Sequence, residues 1–107
     1  LHVCGNHNLM GVVKDYPIHA FNWDARGEGN PSLAEGKILI GDKVAAGGIA
    51  CIMQKRHLID MSPQQITSEV AGLRAAMGDT GWILSPGCVY SRHTPEANVE
   101  AIRHSVD

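Results

Sequence analysis

The sequence has no cluster of basic residues and no long apolar run. Its 107 residues include 9 Lys and Arg against 11 Asp and Glu, which gives a formal net charge of -2. A chain without a basic surface lacks the charge that holds a nucleic acid backbone or an anionic membrane surface. Its apolar runs of a handful of residues are too short to span a bilayer, which needs about 20. We therefore expect neither a nucleic acid partner nor a membrane partner.

Cysteine is scarce as well, since the chain contains only three, Cys4, Cys51 and Cys88. An odd number of widely spaced cysteines does not suit a disulfide framework. It favours a reducing compartment, so we expect the protein to be cytoplasmic.

The composition is that of a globular chain. Hydrophobic residues make up 44% of it and charged residues 19%, and its length suits a single domain over residues 1–107. The first residue is Leu1 rather than methionine, and it stands in a strand-like segment. We therefore expect this chain to be a piece of a longer protein.

Short strand-like segments alternate with helix-like segments along the chain. The predicted strands cover residues 1–4, 18–23, 44–49 and 82–85, and the predicted helices cover about 7–14, 30–40, 62–77 and 94–106. Such an alternation indicates βαβ units and an α/β fold with a parallel sheet. The pattern does not distinguish an open, flavodoxin-like sheet from part of a closed barrel.

Three of the helices have end signals. Asn30 followed by Pro31 is predicted to cap the second helix, and Gly41 is predicted to end it. Ser62 to Gln65 forms a capping box for the third helix, whose apolar positions are Ile66, Val70, Leu73 and Met77. The last helix begins at Thr94 to Glu96, with an apolar stripe made of Val99, Ile102 and Val106. In the third helix, Glu69 lies between the apolar positions Ile66 and Val70, and Glu69→Gln is expected to be nearly silent.

His2, Cys4 and Cys88 form the candidate metal site. His2 and Cys4 are two apart on a strand, so their side chains point to the same face. Cys88 follows the fourth strand after a Pro-Gly turn, and the carboxyl ends of parallel strands lie together. Two thiolates and an imidazole suit zinc, and three ligands leave one tetrahedral position for a substrate thiol. A thiol held there would be ionised and nucleophilic at neutral pH.

Other roles remain open for the polar residues. Cys4 and Cys88 can instead be small buried residues, since free cysteine is often buried. Cys51 follows the third strand and is either a fourth ligand or core packing. Asp24 follows the second strand and is the candidate catalytic residue, with a turn or capping role as the alternative.

Several segments of the sequence resemble a known family, the uroporphyrinogen decarboxylase and cobalamin-dependent methyltransferase superfamily. Leu1-His2-Val3-Cys4-Gly5-Asn6 resembles its H-x-C-G-N strand, and Gly47-Gly48-Ile49 resembles a later strand end. Ser85-Pro86-Gly87-Cys88 and Thr94-Pro95-Glu96-Ala97-Asn98 resemble its final strand, loop and helix start.

The resemblance implies a fold and a reaction. The family folds as a (β/α)8 TIM barrel, so this chain would supply the C-terminal half, with about four parallel strands. The zinc enzymes of the family are methyltransferases that bind the metal with an H-x-C pair and a later P-G-C cysteine, which are His2, Cys4 and Cys88 here. They methylate a thiol, typically coenzyme M or a homocysteine-like acceptor, from a methylcorrinoid. Zinc, a methylcorrinoid and a corrinoid protein partner are therefore implied.

Two alternatives accompany that interpretation. The first is a metal-free uroporphyrinogen decarboxylase, which acts on a tetrapyrrole in porphyrin biosynthesis. The decarboxylases tend to carry G-H-G in the last loop, where this sequence has Pro86-Gly87-Cys88, and this departure favours the methyltransferase branch. The second is a non-catalytic half-barrel subunit. Because a half-barrel leaves strand edges unpaired, we expect the isolated chain to form a homodimer or a larger homo-oligomer.

Overall fold

A computed structural model of the chain describes residues 1–54 and 57–107, which form four parallel strands alternating with four helices. In chain order these elements are β1 (His2–Val3), α1 (Met10–Val13), β2 (Ala20–Trp23), α2 (Leu33–Ile40), β3 (Val44–Ile49), α3 (Pro63–Met77), β4 (Trp82–Pro86) and α4 (Glu96–His104). The strands lie in the order β1-β2-β3-β4, and each pairs in parallel with the next. An open doubly wound sheet reverses its strand order at a switch point, whereas this order continues in one direction, as it does in a barrel.

The two faces of the sheet differ in character. Phe21, Trp23 and Ala45 are buried in a cluster with Met10 and Leu33, which belong to the helical layer. Successive strand residues point to opposite faces, so the residues between them face the other way and are only half-buried. That second face, at the carboxyl ends of the strands, carries the candidate site.

Trp23 fixes the end of β2. Its side chain is fully buried, and its indole N–H donates to the Pro31 carbonyl at 2.9 Å. A Cβ atom on Gly36 of α2 would lie 2.1 Å from the Trp23 ring. Only glycine permits this close packing of helix on strand, because any larger residue would displace the indole.

α3 begins and ends as the sequence predicts. The Ser62 hydroxyl accepts the Gln65 N–H at 3.2 Å, the Gln65 side chain accepts the Ser62 N–H at 2.8 Å, and Gly78 follows the last helical residue. Its core face packs in a second cluster made of Ile49, Leu58, Met61, Ile66 and Val70. Across residues 1–54 and 57–107, no helix combines the length and the apolar character that a membrane crossing requires.

α1 is shorter than the sequence predicts. His7 has a φ of 49°, a left-handed backbone conformation that a right-handed helix cannot contain. The helix therefore begins at Met10 rather than near His7.

The predicted cap of α2 is wrong by two residues. Ser32, not Asn30, is the N-cap: its hydroxyl accepts the Glu35 N–H at 3.1 Å, and the Glu35 carboxylate accepts the Ser32 N–H at 2.8 Å. The Asn30 side chain instead donates to the Gly5 carbonyl at 2.8 Å and to the Asp24 carbonyl at 2.9 Å. Asn30 thus joins the loops that follow β1 and β2.

The predicted apolar stripe of α4 is also partly wrong. Val99 is 41% exposed, and Val106 lies beyond the helix and is 48% exposed. The most buried residue of α4 is Asn98, whose amide donates to the carbonyls of Leu58 at 2.6 Å and Met61 at 2.8 Å. The helix is therefore held by a polar anchor as well as by apolar packing.

Candidate metal centre

β1 brings His2 and Cys4 to the same side of the sheet. His2 lies beside Asn22 in the parallel pairing with β2, and Cys4 directly follows the strand. The next residue, Gly5, has a φ of +89°, which glycine adopts without strain. The backbone can therefore turn away from the sheet immediately after Cys4.

Cys88 is positioned by a close approach of two backbone segments. The N–H of Gly87 donates to the Ile49 carbonyl at 3.1 Å, which continues the pairing of β4 with β3. A Cβ atom on Gly87 would lie 2.6 Å from the Cα of Asp24. The absence of a side chain at Gly87 lets this segment pass against the end of β2 and places Cys88 near β1.

The structure brings together the three residues that the sequence predicts as ligands. One ligand atom from each of His2, Cys4 and Cys88 lies within 4.8 Å of the others, and the two sulfur atoms are 4.0 Å apart. His2 and Cys4 are exposed and Cys88 is half-buried. They line an open cavity of about 340 Å³ together with Asn22 and Val89. A small molecule can therefore reach the donor atoms.

The Cys88 thiol disfavours ionisation of Cys4. The hydrogen bond between the Cys4 and Cys88 sulfur atoms and the charge of Cys88 raise the pKa of Cys4 above the ordinary value for a cysteine. Two adjacent thiols resist ionisation because the second thiolate would lie beside the first. A divalent cation between them would reverse that balance, since coordination favours the thiolate form. The donor set of two sulfurs and one imidazole thus fits zinc, with one tetrahedral position left over.

Asp24, the predicted catalytic residue, is buried and lies outside the group of three donors. One of its carboxylate oxygens accepts the Arg26 N–H at 3.0 Å, and the other accepts hydrogen bonds from the Cys51 thiol at 3.5 Å and from the Gln54 amide. Its charge also contributes to the raised pKa of Cys4. Its catalytic role stays a prediction.

Cys51 lies outside the group of three. Its side chain is fully buried and donates to Asp24, and burial raises the pKa of its thiol. In the described part of the chain, the donors that lie within 4.8 Å of one another are those of His2, Cys4 and Cys88. This placement favours packing over metal binding for Cys51.

The sequence prediction missed Asn22. Its side-chain oxygen lies 2.5 Å from Nδ1 of His2. The signal was available, because Asn22 is a polar residue between the buried Phe21 and Trp23 on a strand, and such a residue needs a hydrogen-bonding partner on the face to which it points.

Comparison with known proteins identifies a family and a structural neighbour. The family model described as uroporphyrinogen decarboxylase (URO-D) matches residues 1–107. No curated protein gives a significant match. A solved structure of a methyltransferase from Methanosarcina mazei matches 92% of this chain with a TM-score of 0.72 and 22% sequence identity. The chain spans 27% of the length of that methyltransferase. The match shows a shared fold, and the predicted fold class, half of a (β/α)8 barrel, is confirmed.

Proposed function

The chain belongs to the uroporphyrinogen decarboxylase family, and on that premise we propose that it forms part of a zinc-dependent methyltransferase that methylates a thiol. The family contains both decarboxylases and methyltransferases. In this proposal His2, Cys4 and Cys88 hold the metal. The name of the structural neighbour, a methyltransferase, supports this branch of the family.

One observation carries the proposal, namely that an imidazole and two thiol groups from opposite ends of the sequence converge at one cavity. A metal-free decarboxylase would have no use for two sulfur atoms 4.0 Å apart at the carboxyl ends of its strands. Three protein donors with an open fourth position are typical of catalytic rather than structural zinc.

In the proposed site, the three donors bind the metal and the cavity binds the acceptor thiol. Zinc bound there would supply the positive charge that keeps a substrate thiol ionised at neutral pH. His2, Cys4 and Cys88 would hold the metal, and the open cavity that they line would admit the acceptor thiol. A methylcorrinoid, carried by a separate protein, is the proposed methyl donor.

A thiol added to the metal-loaded chain is expected to enter the open position. Co²⁺ can replace zinc in such sites, and its sulfur-to-metal absorption reports the number of coordinated thiolates. Addition of coenzyme M to the Co²⁺-loaded protein should therefore increase that absorption. The matched control is the analogue of coenzyme M in which a hydroxyl replaces the thiol, which should leave the absorption unchanged. If both compounds changed the absorption equally, or if neither compound changed it, thiol activation at this site would be contradicted.

A further inference from the structure

We propose that Asn22 is a positioning residue, which holds the imidazole of His2 in the one tautomer whose Nε2 is free to bind a metal. This inference rests on the proposed zinc site. It concerns a residue outside the three ligands, and it assigns a hydrogen-bonding role that can be measured without zinc.

The orientation of the Asn22 amide follows from its neighbours. Its nitrogen donates to the carbonyl of Ala46 at 3.0 Å and to the carbonyl of Pro86 at 3.1 Å. A backbone carbonyl can only accept a hydrogen bond, so the amide atom that faces these two groups must be the nitrogen. The amide oxygen therefore faces His2, at 2.5 Å from Nδ1.

The tautomer of His2 follows from that orientation. The amide oxygen of Asn22 carries no hydrogen, so the hydrogen bond requires a proton on Nδ1 of His2. In a neutral imidazole the other ring nitrogen, Nε2, then carries the lone pair, which is the form a metal needs. Histidine ligands generally donate their second ring N–H to a fixed acceptor, which sets the ring orientation. Asn22 is such an acceptor.

The position of Asn22 also connects the two parts of the donor set. It stands on β2 beside His2 of β1, and its amide contacts Ala46 of β3 and Pro86 of β4. Pro86 is two residues before Cys88. One side chain therefore links all four strands and fixes the histidine relative to the segment that supplies the distant cysteine.

The first measurement is nitrogen NMR of the imidazoles in the zinc-free protein, above the pH at which histidine loses its charge. The His2 signal is identified by its loss in His2→Gln. We expect Nδ1 of His2 to carry the proton in the wild-type chain, and we expect Asn22→Leu, which matches the size of asparagine, to lose this preference. A proton on Nε2 in the wild type would overturn the proposal, even if Asn22→Leu failed to fold.

The second measurement is zinc affinity by competition with a chelator. Loss of the partner of a metal-binding histidine typically weakens binding by about 10- to 100-fold, and we expect a loss in this range for Asn22→Leu. Ser85→Ala is the control, because the Ser85 hydroxyl lies 3.4 Å from the Asn22 amide nitrogen, and the hydrogen bonds described for this hydroxyl are to Asn22 and Pro86 rather than to His2. It should leave the affinity unchanged.

The two measurements separate this inference from the proposed function. If Asn22→Leu bound zinc as tightly as the wild type, the positioning role of Asn22 would be overturned, but the proposed zinc site would not. Absence of zinc binding in the wild type would remove the proposed function, and the tautomer measurement would still decide the role of Asn22 toward His2.

Discussion

Cys88→Ala is expected to remove most of the zinc affinity of the chain. Structural zinc sites bind with about 10–16 kcal/mol through four ligands, so one thiolate accounts for about 2.5–4 kcal/mol. Its loss should weaken binding by roughly 100- to 1000-fold. His2 and Cys4 would remain, but two ligands from one strand make a poor site. Zinc content after dialysis, together with chelator competition, measures the effect.

Cys51→Ala is the matched control for that change. Cys51 is a buried thiol that donates to Asp24 and lies outside the group of three donors. Its removal should leave zinc affinity nearly unchanged. Full retention of zinc by Cys88→Ala, or an equal loss in the two variants, would contradict the assignment of Cys88 as a ligand.

Val70→Asp is expected to unfold the chain. Val70 is fully buried on α3 and packs in the cluster that includes Ile49 and Ile66. A carboxylate there would be buried without a partner, at a cost of several kcal/mol. Small domains are stable by only about 5 kcal/mol, so the helical circular dichroism signal should be lost at 25 °C.

Ser68→Asp places the same charge on the same helix at an exposed position. Serine and aspartate have similar helix propensities, and exposed substitutions usually change stability by less than about 0.5 kcal/mol. Its melting temperature should therefore stay close to that of the wild type. Equal melting temperatures for Val70→Asp and Ser68→Asp would show that the buried face of α3 is misassigned.

The sequence predicts the elements best where local chemistry alone determines them. The capping box from Ser62 to Gln65 and the terminal Gly78 fix both ends of α3, and the bounds of β3 are those predicted. The prediction fails where contacts between distant segments decide the structure. Asn30 is a good capping residue, yet it bonds the loops that contain Gly5 and Asp24.

The same distinction applies to charged residues. The near-silence of Glu69→Gln stays a prediction, but the sequence did not predict that Glu69 pairs with Arg26 at 2.6 Å, or that Arg26 also donates to the Gly48 carbonyl at 3.1 Å. No local pattern links Glu69 to a residue 43 positions away. The ion pair depends on how α3 packs over the end of β3, which the fold determines.

For the candidate site, strand periodicity and the position of strand ends were enough to predict that His2, Cys4 and Cys88 converge. The proposed role of Asn22 could not be assigned in this way, because it depends on contacts with residues of three other strands. Its amide orientation follows only from the carbonyls of Ala46 and Pro86. The convergence of the three candidate ligands is thus visible in the sequence, whereas the orientation of their side chains requires the packed sheet.

X-ray absorption at the zinc edge of the wild-type chain, loaded with one equivalent of zinc, tests the central claim most directly. If His2, Cys4 and Cys88 bind the metal, the spectrum should contain two sulfur neighbours at about 2.3 Å and nitrogen or oxygen neighbours at about 2.0–2.1 Å. A zinc ion without sulfur neighbours would contradict the site. Three sulfur neighbours in the absence of added thiol would show that Cys51 is a ligand and that the position proposed for the substrate is already filled by the protein.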